Sequence, residues 1–181
     1  MAAVHIGMMQ ARMARQPFIA CVDVDYRDRG AFAAGLWFRG WSANQSEREE
    51  VAFIPEVAEY EPGAFYKREL PCLMAVLSQG PLVDIVLIDG YVWLGENKPG
   101  LGAHLFEALG RQVAVVGIAK TKFARANAMS ILRGESKNAL AITAAGMDPA
   151  EAAEGVVAMH GDHRLPTLLK AVDQKARTAS G

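Results

Sequence analysis

The sequence predicts an α/β domain built on a mixed β-sheet, and three observations carry that expectation. Two short, uninterrupted apolar runs, residues 85–88 and 113–118, have the character of strands buried on both faces. Helical patterns precede and separate them, which gives the order strand, helix, strand, helix, strand expected of crossover units. Ahead of them lie three β-favouring stretches joined by polar segments, which suits an antiparallel meander. At 181 residues, 51% of them hydrophobic, the chain is long enough to bury one substantial core. We therefore read 1–181 as a single domain, with an N-terminal extension at 1–16 and a core at 17–177.

The first strand is expected at 18–26, where Ile19, Cys21, Val22 and Val24 form a β-favouring run before charged residues take over. Strands at 31–38 and 51–57 follow, and the polar segment 42–50 between them reads as a solvated turn. Pro62 and Gly63 introduce a helical pattern that runs to about Ser78, with Phe65, Leu73, Val76 and Leu77 as core contacts. Pro71 is expected to kink or divide that helix, because it lacks the backbone donor and crowds the preceding turn. The buried run 85–88 ends in Asp89 and Gly90, and a loop at 93–100 leads into a helix at 101–109. After the strand at 113–118, segments 131–133 and 139–143 flank polar residues and suit a hairpin. Helices at 149–159, opening on Pro149, and at 166–177 complete the reading.

Cys21 and Cys72 lack the spacing of a zinc site or a disulfide framework and read as small core residues. No stretch approaches the roughly 18 apolar residues of a membrane span, and the opening lacks a secretory signature, so a cytoplasmic protein without membrane contact is expected. The net charge of -1 offers no general attraction to phosphate. A nucleic-acid function must then rest on a local basic surface or on metal ions.

Hard oxygen ligands for a divalent ion can be supplied by acids at the ends of buried strands, and Asp23 and Asp89 meet that requirement. Asp25 follows Asp23 by two residues and shares its face in a regular strand. Glu69 comes just before Pro71, where its carboxylate can be directed towards the sheet. A plainer reading of the same residues is that acids end strands, Asp89-Gly90 is a turn and Glu69 pairs with a neighbouring base.

An ordered set of segments adds to this. Ile19-Ala20-Cys21-Val22-Asp23, Tyr60-Glu61-Pro62-Gly63, Arg68-Glu69-Leu70-Pro71, Ile88-Asp89-Gly90, Gly100-Leu101-Gly102-Ala103-His104 and Gly117-Ile118-Ala119-Lys120 resemble, in order and interval, the motifs of the endonuclease V family. The resemblance extends from about Phe18 to Lys175. It implies a ribonuclease-H-like mixed sheet flanked by helices, with Asp23, Glu69 and Asp89 as metal ligands. It also implies catalytic parts for Lys120, which would neutralise phosphate charge, and for Asp173 on the last helix, reached by a small gap. Lys120 also reads as an exposed lysine with no special part. Tyr60, Pro62, Gly63, Gly90 and Lys98 fall at positions that would meet nucleic acid.

The activity implied is that of an endonuclease dependent on Mg²⁺, or Mn²⁺, which hydrolyses a phosphodiester near inosine in DNA or RNA; the sequence leaves the oligomeric state open, with a monomer favoured. Water would attack phosphorus, with the ion lowering its pKa and stabilising charge on the phosphoryl oxygens. This sequence departs from the family pattern in three places. Glu59 and Glu61 flank Tyr60 where the family has a strand-separating wedge, Glu96-Asn97-Lys98-Pro99 replaces a His-Pro-Arg segment, and Ala145-Gly146-Met147 replaces Ser-x-Gly-His. These differences keep two other readings open, a family member that binds nucleic acid or a partner without cutting, and a small-nucleotide hydrolase. Histidines 160 and 163 read as loop residues, His104 as helix packing, and Trp37, Trp41 and Trp93 as core or rim.

Overall fold

The structure, a computed structural model, describes residues 15–180. Among these residues, nine strands and four helices follow in the order β1 (Phe18–Arg27), β2 (Gly30–Arg39), β3 (Arg48–Ile54), α1 (Tyr66–Leu77), β4 (Ile85–Asp89), β5 (Trp93–Gly95), β6 (Lys98–Pro99), α2 (Leu101–Ala108), β7 (Ala114–Ala119), β8 (Met129–Ile131), β9 (Leu140–Ala145), α3 (Pro149–Ala158) and α4 (Thr167–Thr178). Seven strands form one sheet in the order β3-β2-β1-β4-β7-β9-β8. The expected meander is β1 to β3, all antiparallel, and β1, β4 and β7 lie parallel at the centre. The β7-β9 and β9-β8 pairs are antiparallel and close the far edge. The sheet is therefore mixed, as the sequence predicts.

Alternation along the strands builds two cores. Ile19, Cys21, Leu36, Leu87, Val116 and Ile142 face α3 and α4. Ala20, Val22, Trp37, Val86, Ile88 and Val115 face α1 and α2. The central parallel strands are covered on both sides, which is why residues 85–88 read as one continuous apolar run. Cys21 and Cys72 are both buried and free, as expected.

Local chemistry explains several boundaries. Asp148 caps α3, accepting from the Ala150 N–H at 2.7 Å, and Pro149 takes the first helical position where its missing N–H is harmless. Gly30 turns β1 into β2 at φ +128°, where a Cβ would lie 2.2 Å from the Ile54 carbonyl oxygen. Arg27 donates to the carbonyls of Ala176, Arg177 and Ala179 and ties the end of α4 to β1.

Five expectations need correction. The third strand occupies Arg48–Ile54, not 51–57, because β3 is an edge strand and Arg48 and Glu49 can stay in solvent while their backbone pairs with β2. Helix α1 begins at Tyr66, since Gly63 adopts φ +80° and breaks the pattern before it. Pro71 does not divide that helix: it lies on the exposed side, as does Lys67, whose carbonyl it leaves without a helical donor. The loop at 93–100 contains a two-stranded hairpin, β5-β6, turned by Asn97 at φ 53°. The later hairpin forms from β8 and β9, two residues earlier on its first strand than expected.

Candidate active site

Parallel neighbours β1 and β4 bring Asp23 and Asp89 to one end of the sheet, with α1 on one face and α4 on the other. Asp23, Asp89, Lys120 and Asp173 line a cavity of about 30 Å³, walled by Val22, Ile118 and Leu169. That volume holds a water molecule or a small ion. Glu69 reaches the same neighbourhood from α1 and is only 8% exposed.

The electrostatics are those of acids crowded without enough countercharge. Burial pushes the Asp23 carboxyl up to about 7, and Asp89 and Asp173 push the same way, against the pull of the Val24 N–H that it accepts at 2.9 Å. Burial raises Glu69 to about 8, with Asp23 and Asp89 adding to the rise, while Tyr26 and Arg68 hold it back. The Tyr26 hydroxyl is buried beside Glu69 yet meets no partner at full hydrogen-bond geometry, and the Arg68 guanidinium lies 4.1 Å over its ring. Burial also works against the charge of Lys120, but its contact with Asp89 at 2.7 Å outweighs that and raises it above the usual lysine range. Among the described residues, no three His, Cys, Asp or Glu side chains are grouped tightly enough to hold a metal ion between them.

Of the residues the sequence singled out, Asp23, Glu69, Asp89, Lys120 and Asp173 converge at this site. Asp173 also pairs with Arg177 one turn on at 2.9 Å. Asp25 shares the face of Asp23 but is drawn 2.8 Å to Arg27. Gly63 and Gly90 line a second cleft of about 240 Å³ that adjoins Asp89 and has Phe65, Tyr91 and Leu94 on its walls. Tyr60 is 62% exposed and leans on Phe65, so it is no core aromatic; Tyr60, Pro62 and Lys98 lie outside that lining. Glu61 is turned to Lys67 at 2.8 Å. His104 stacks on Tyr66 at 3.5 Å between α1 and α2, and His160 bonds Thr167 in the loop before α4.

Several supporting contacts carried no sequence signal. The turn after Asp89 is bolted to β9 by Thr143, whose buried hydroxyl accepts the Val92 N–H at 2.8 Å. Gly117 leaves room for that turn, since a Cβ there would stand 2.5 Å from the Gly90 carbonyl oxygen. Arg164 donates to the carbonyls of Lys120 and Ala139 and fixes the strand end from which Lys120 projects. Each contact joins segments more than 20 residues apart, so no local pattern announces it.

A model of the family described as Endonuclease V matches residues 4–160. The chain belongs to the endonuclease V family. Membership of this nuclease family agrees with the order of motifs read from the sequence. Solved structures of endonuclease V superpose on the chain. Human endonuclease V is 21% identical, with a TM-score of 0.71 over 90% of this chain and 83% of that one. The Streptomyces avermitilis endonuclease V is 20% identical, with a TM-score of 0.72 over 96% and 90%. A variant from Ciona intestinalis, solved with a 23mer DNA containing an inosine followed by a ribo-adenosine, is 14% identical, with a TM-score of 0.69 over 88% and 83%. At these identities the likeness shows the fold, which is ribonuclease-H-like. No match was found among curated protein sequences. Among the described residues, no helix is long and apolar enough to cross a membrane.

Proposed function

We propose that this endonuclease V family member is a metal-dependent endonuclease that hydrolyses a phosphodiester bond near inosine in DNA or RNA. The observation that carries the reading is the convergence of Asp23, Glu69, Asp89 and Asp173 at one sheet end, two of them raised towards neutrality by burial and by one another. Acids held in mutual repulsion are costly to a fold, and a divalent cation relieves that cost. The donors are hard oxygens, the chemistry Mg²⁺ or Mn²⁺ selects, and Asp23, Asp89 and Glu69 would hold the ion once drawn closer together than they stand without it. When bound, such an ion supplies Lewis-acid stabilisation of phosphoryl charge and a lowered pKa for attacking water.

The chain's own residues do the rest. Lys120 neutralises charge beside the reacting phosphate once it exchanges Asp89 for that partner. Asp173, beside Asp23, holds or moves a proton near the attacking water. The cleft next to Asp89, with Gly63, Gly90, Phe65 and Tyr91 on its walls, receives a base beside the bond to be cut. The inosine-containing DNA bound by the Ciona relative motivates the choice of lesion.

A second reading, binding without cutting, is favoured by one contact: the Lys120 ammonium already neutralises Asp89. One assay separates the two. End-labelled single-stranded and duplex DNA and RNA, each with one inosine or none, are incubated in Mg²⁺ with the wild type and with Asp89→Ala. Cutting near inosine that vanishes in the variant is expected. Binding of the same strands with no cut in any of them would overturn the nuclease reading in favour of the second.

A further inference from the structure

With a net charge of -1, the chain needs a local basic surface if phosphate is to be held. Residues 120–133 supply one: Lys120, Lys122, Arg125 and Arg133 fall in a stretch without a single acid. Lys120 belongs to the acid site and Arg133 is buried, which leaves Lys122 and Arg125 exposed on the loop after β7.

That loop is fastened beside the site by one hydroxyl. Tyr91, two residues after Asp89, donates to the Thr121 carbonyl at 2.7 Å and accepts the Phe123 N–H at 2.8 Å. Its ring meets Phe123 edge-on at 6.3 Å, and Phe123 is 40% exposed. The loop also abuts the β5-β6 hairpin. A Cβ built on Gly95 would have the Arg125 backbone oxygen, the Arg125 Cβ and the Lys98 Cβ all within 4.0 Å, so Arg125 and Lys98 are neighbours. Among the described residues, none of Lys98, Lys122 and Arg125 has a carboxylate within 4.0 Å. Glu96, exposed on the same hairpin, offsets one of the three charges.

We propose that Lys122, Arg125 and Lys98 form a cationic track for the phosphates of the nucleic-acid strand running from Asp89 along one flank of the cut, and that Tyr91 is the positioning residue that sets the track. The proposal rests on the nuclease reading above. Cations without acid partners, continuous with the acid site, favour a polyanion over a protein partner, and the exposed Phe123 ring suits an unpaired strand. Because the contacts are to phosphate, the track adds affinity on one flank without regard to base.

The test is fluorescence anisotropy with a labelled single-stranded DNA carrying one central inosine, and with two forms trimmed of one flank each. Binding is followed across a salt series in Ca²⁺ and again in EDTA, with wild type, Lys122→Gln/Arg125→Gln, Tyr91→Phe and the triple variant. The double variant is expected to bind the long strand on the order of tenfold more weakly. Its slope of log affinity against log salt should fall by about 1.4, at about 0.7 per lost phosphate contact. It should also bind the long strand no better than the wild type binds one of the trimmed forms. Tyr91→Phe should shift the slope the same way and add little on top of the double variant, an effect that general loosening of the fold does not produce. Wild-type slope and affinity in the double variant would overturn the track while leaving the nuclease reading in place. Failure of the wild type to bind any strand would overturn both.

Discussion

Two buried polar regions on this sheet are built on opposite terms. Around Arg133 a guanidinium is held inside the fold, its two terminal nitrogens donating to the carbonyls of Met159 at 2.5 Å, Gly161 at 2.9 Å and His163 at 2.7 Å, while its Nε is buried without a partner. Around Asp23 and Glu69, carboxyl groups are brought together with Arg68 beside Glu69 and Lys120 paired to Asp89 as the positive neighbours, and both acids are raised well above the ordinary carboxylate range. One arrangement spreads its charge over backbone carbonyls and stabilises the loop between α3 and α4. The other leaves charge unsatisfied, which is a cost to the fold that chemistry on a substrate would explain.

Removing each charge should therefore have opposite signs. Arg133→Ala strips the donor from several carbonyls at once and should destabilise by about 4 kcal/mol, read as a fall of about 10 °C in the unfolding midpoint. A change under about 1 kcal/mol would mean the loop carries those carbonyls to water at little cost.

Glu69→Gln should stabilise the metal-free protein, by about 3 kcal/mol at high pH. The sign follows from linkage: Glu69 is raised from 4.5 to about 8, so the unfolded chain ionises first and ionisation favours unfolding. The cost is absent below about pH 4.5, grows as pH rises and is complete above about pH 8. The gain from the substitution should follow that curve in denaturant titrations, and a gain independent of pH would contradict it. Thr143→Val should have the smallest effect, about 1 to 2 kcal/mol for leaving the Val92 N–H without its acceptor. It should lower cleavage beyond that loss, because the turn carrying Asp89 is no longer bolted to β9.

The same contrast explains what the sequence could reveal. The central strands were legible because burial on both faces writes an unbroken apolar run, as in Ile85 to Ile88. Asp23, Glu69 and Asp89 were legible because strand ends and motif order mark them. Edge strand β3 was misplaced because Arg48 and Glu49 pair by backbone while their side chains stay wet. Arg133 read as an ordinary hairpin residue, and Thr143, Tyr91 and Arg164 gave no sign of their tasks. Their partners lie 25 or more residues away and are set by the packing of the sheet, not by any local period.

The most direct test of the account takes one variant and two readings. Asp23→Asn keeps an acceptor for the Val24 N–H and removes a charge raised to about 7. Without metal at pH 8 its unfolding midpoint should rise by several degrees, while cleavage of an inosine-containing strand in Mg²⁺ should fall at least about a hundredfold. A variant that cuts like the wild type, or that loses stability along with activity, would contradict the claim that this acid cluster is kept for chemistry at the expense of the fold.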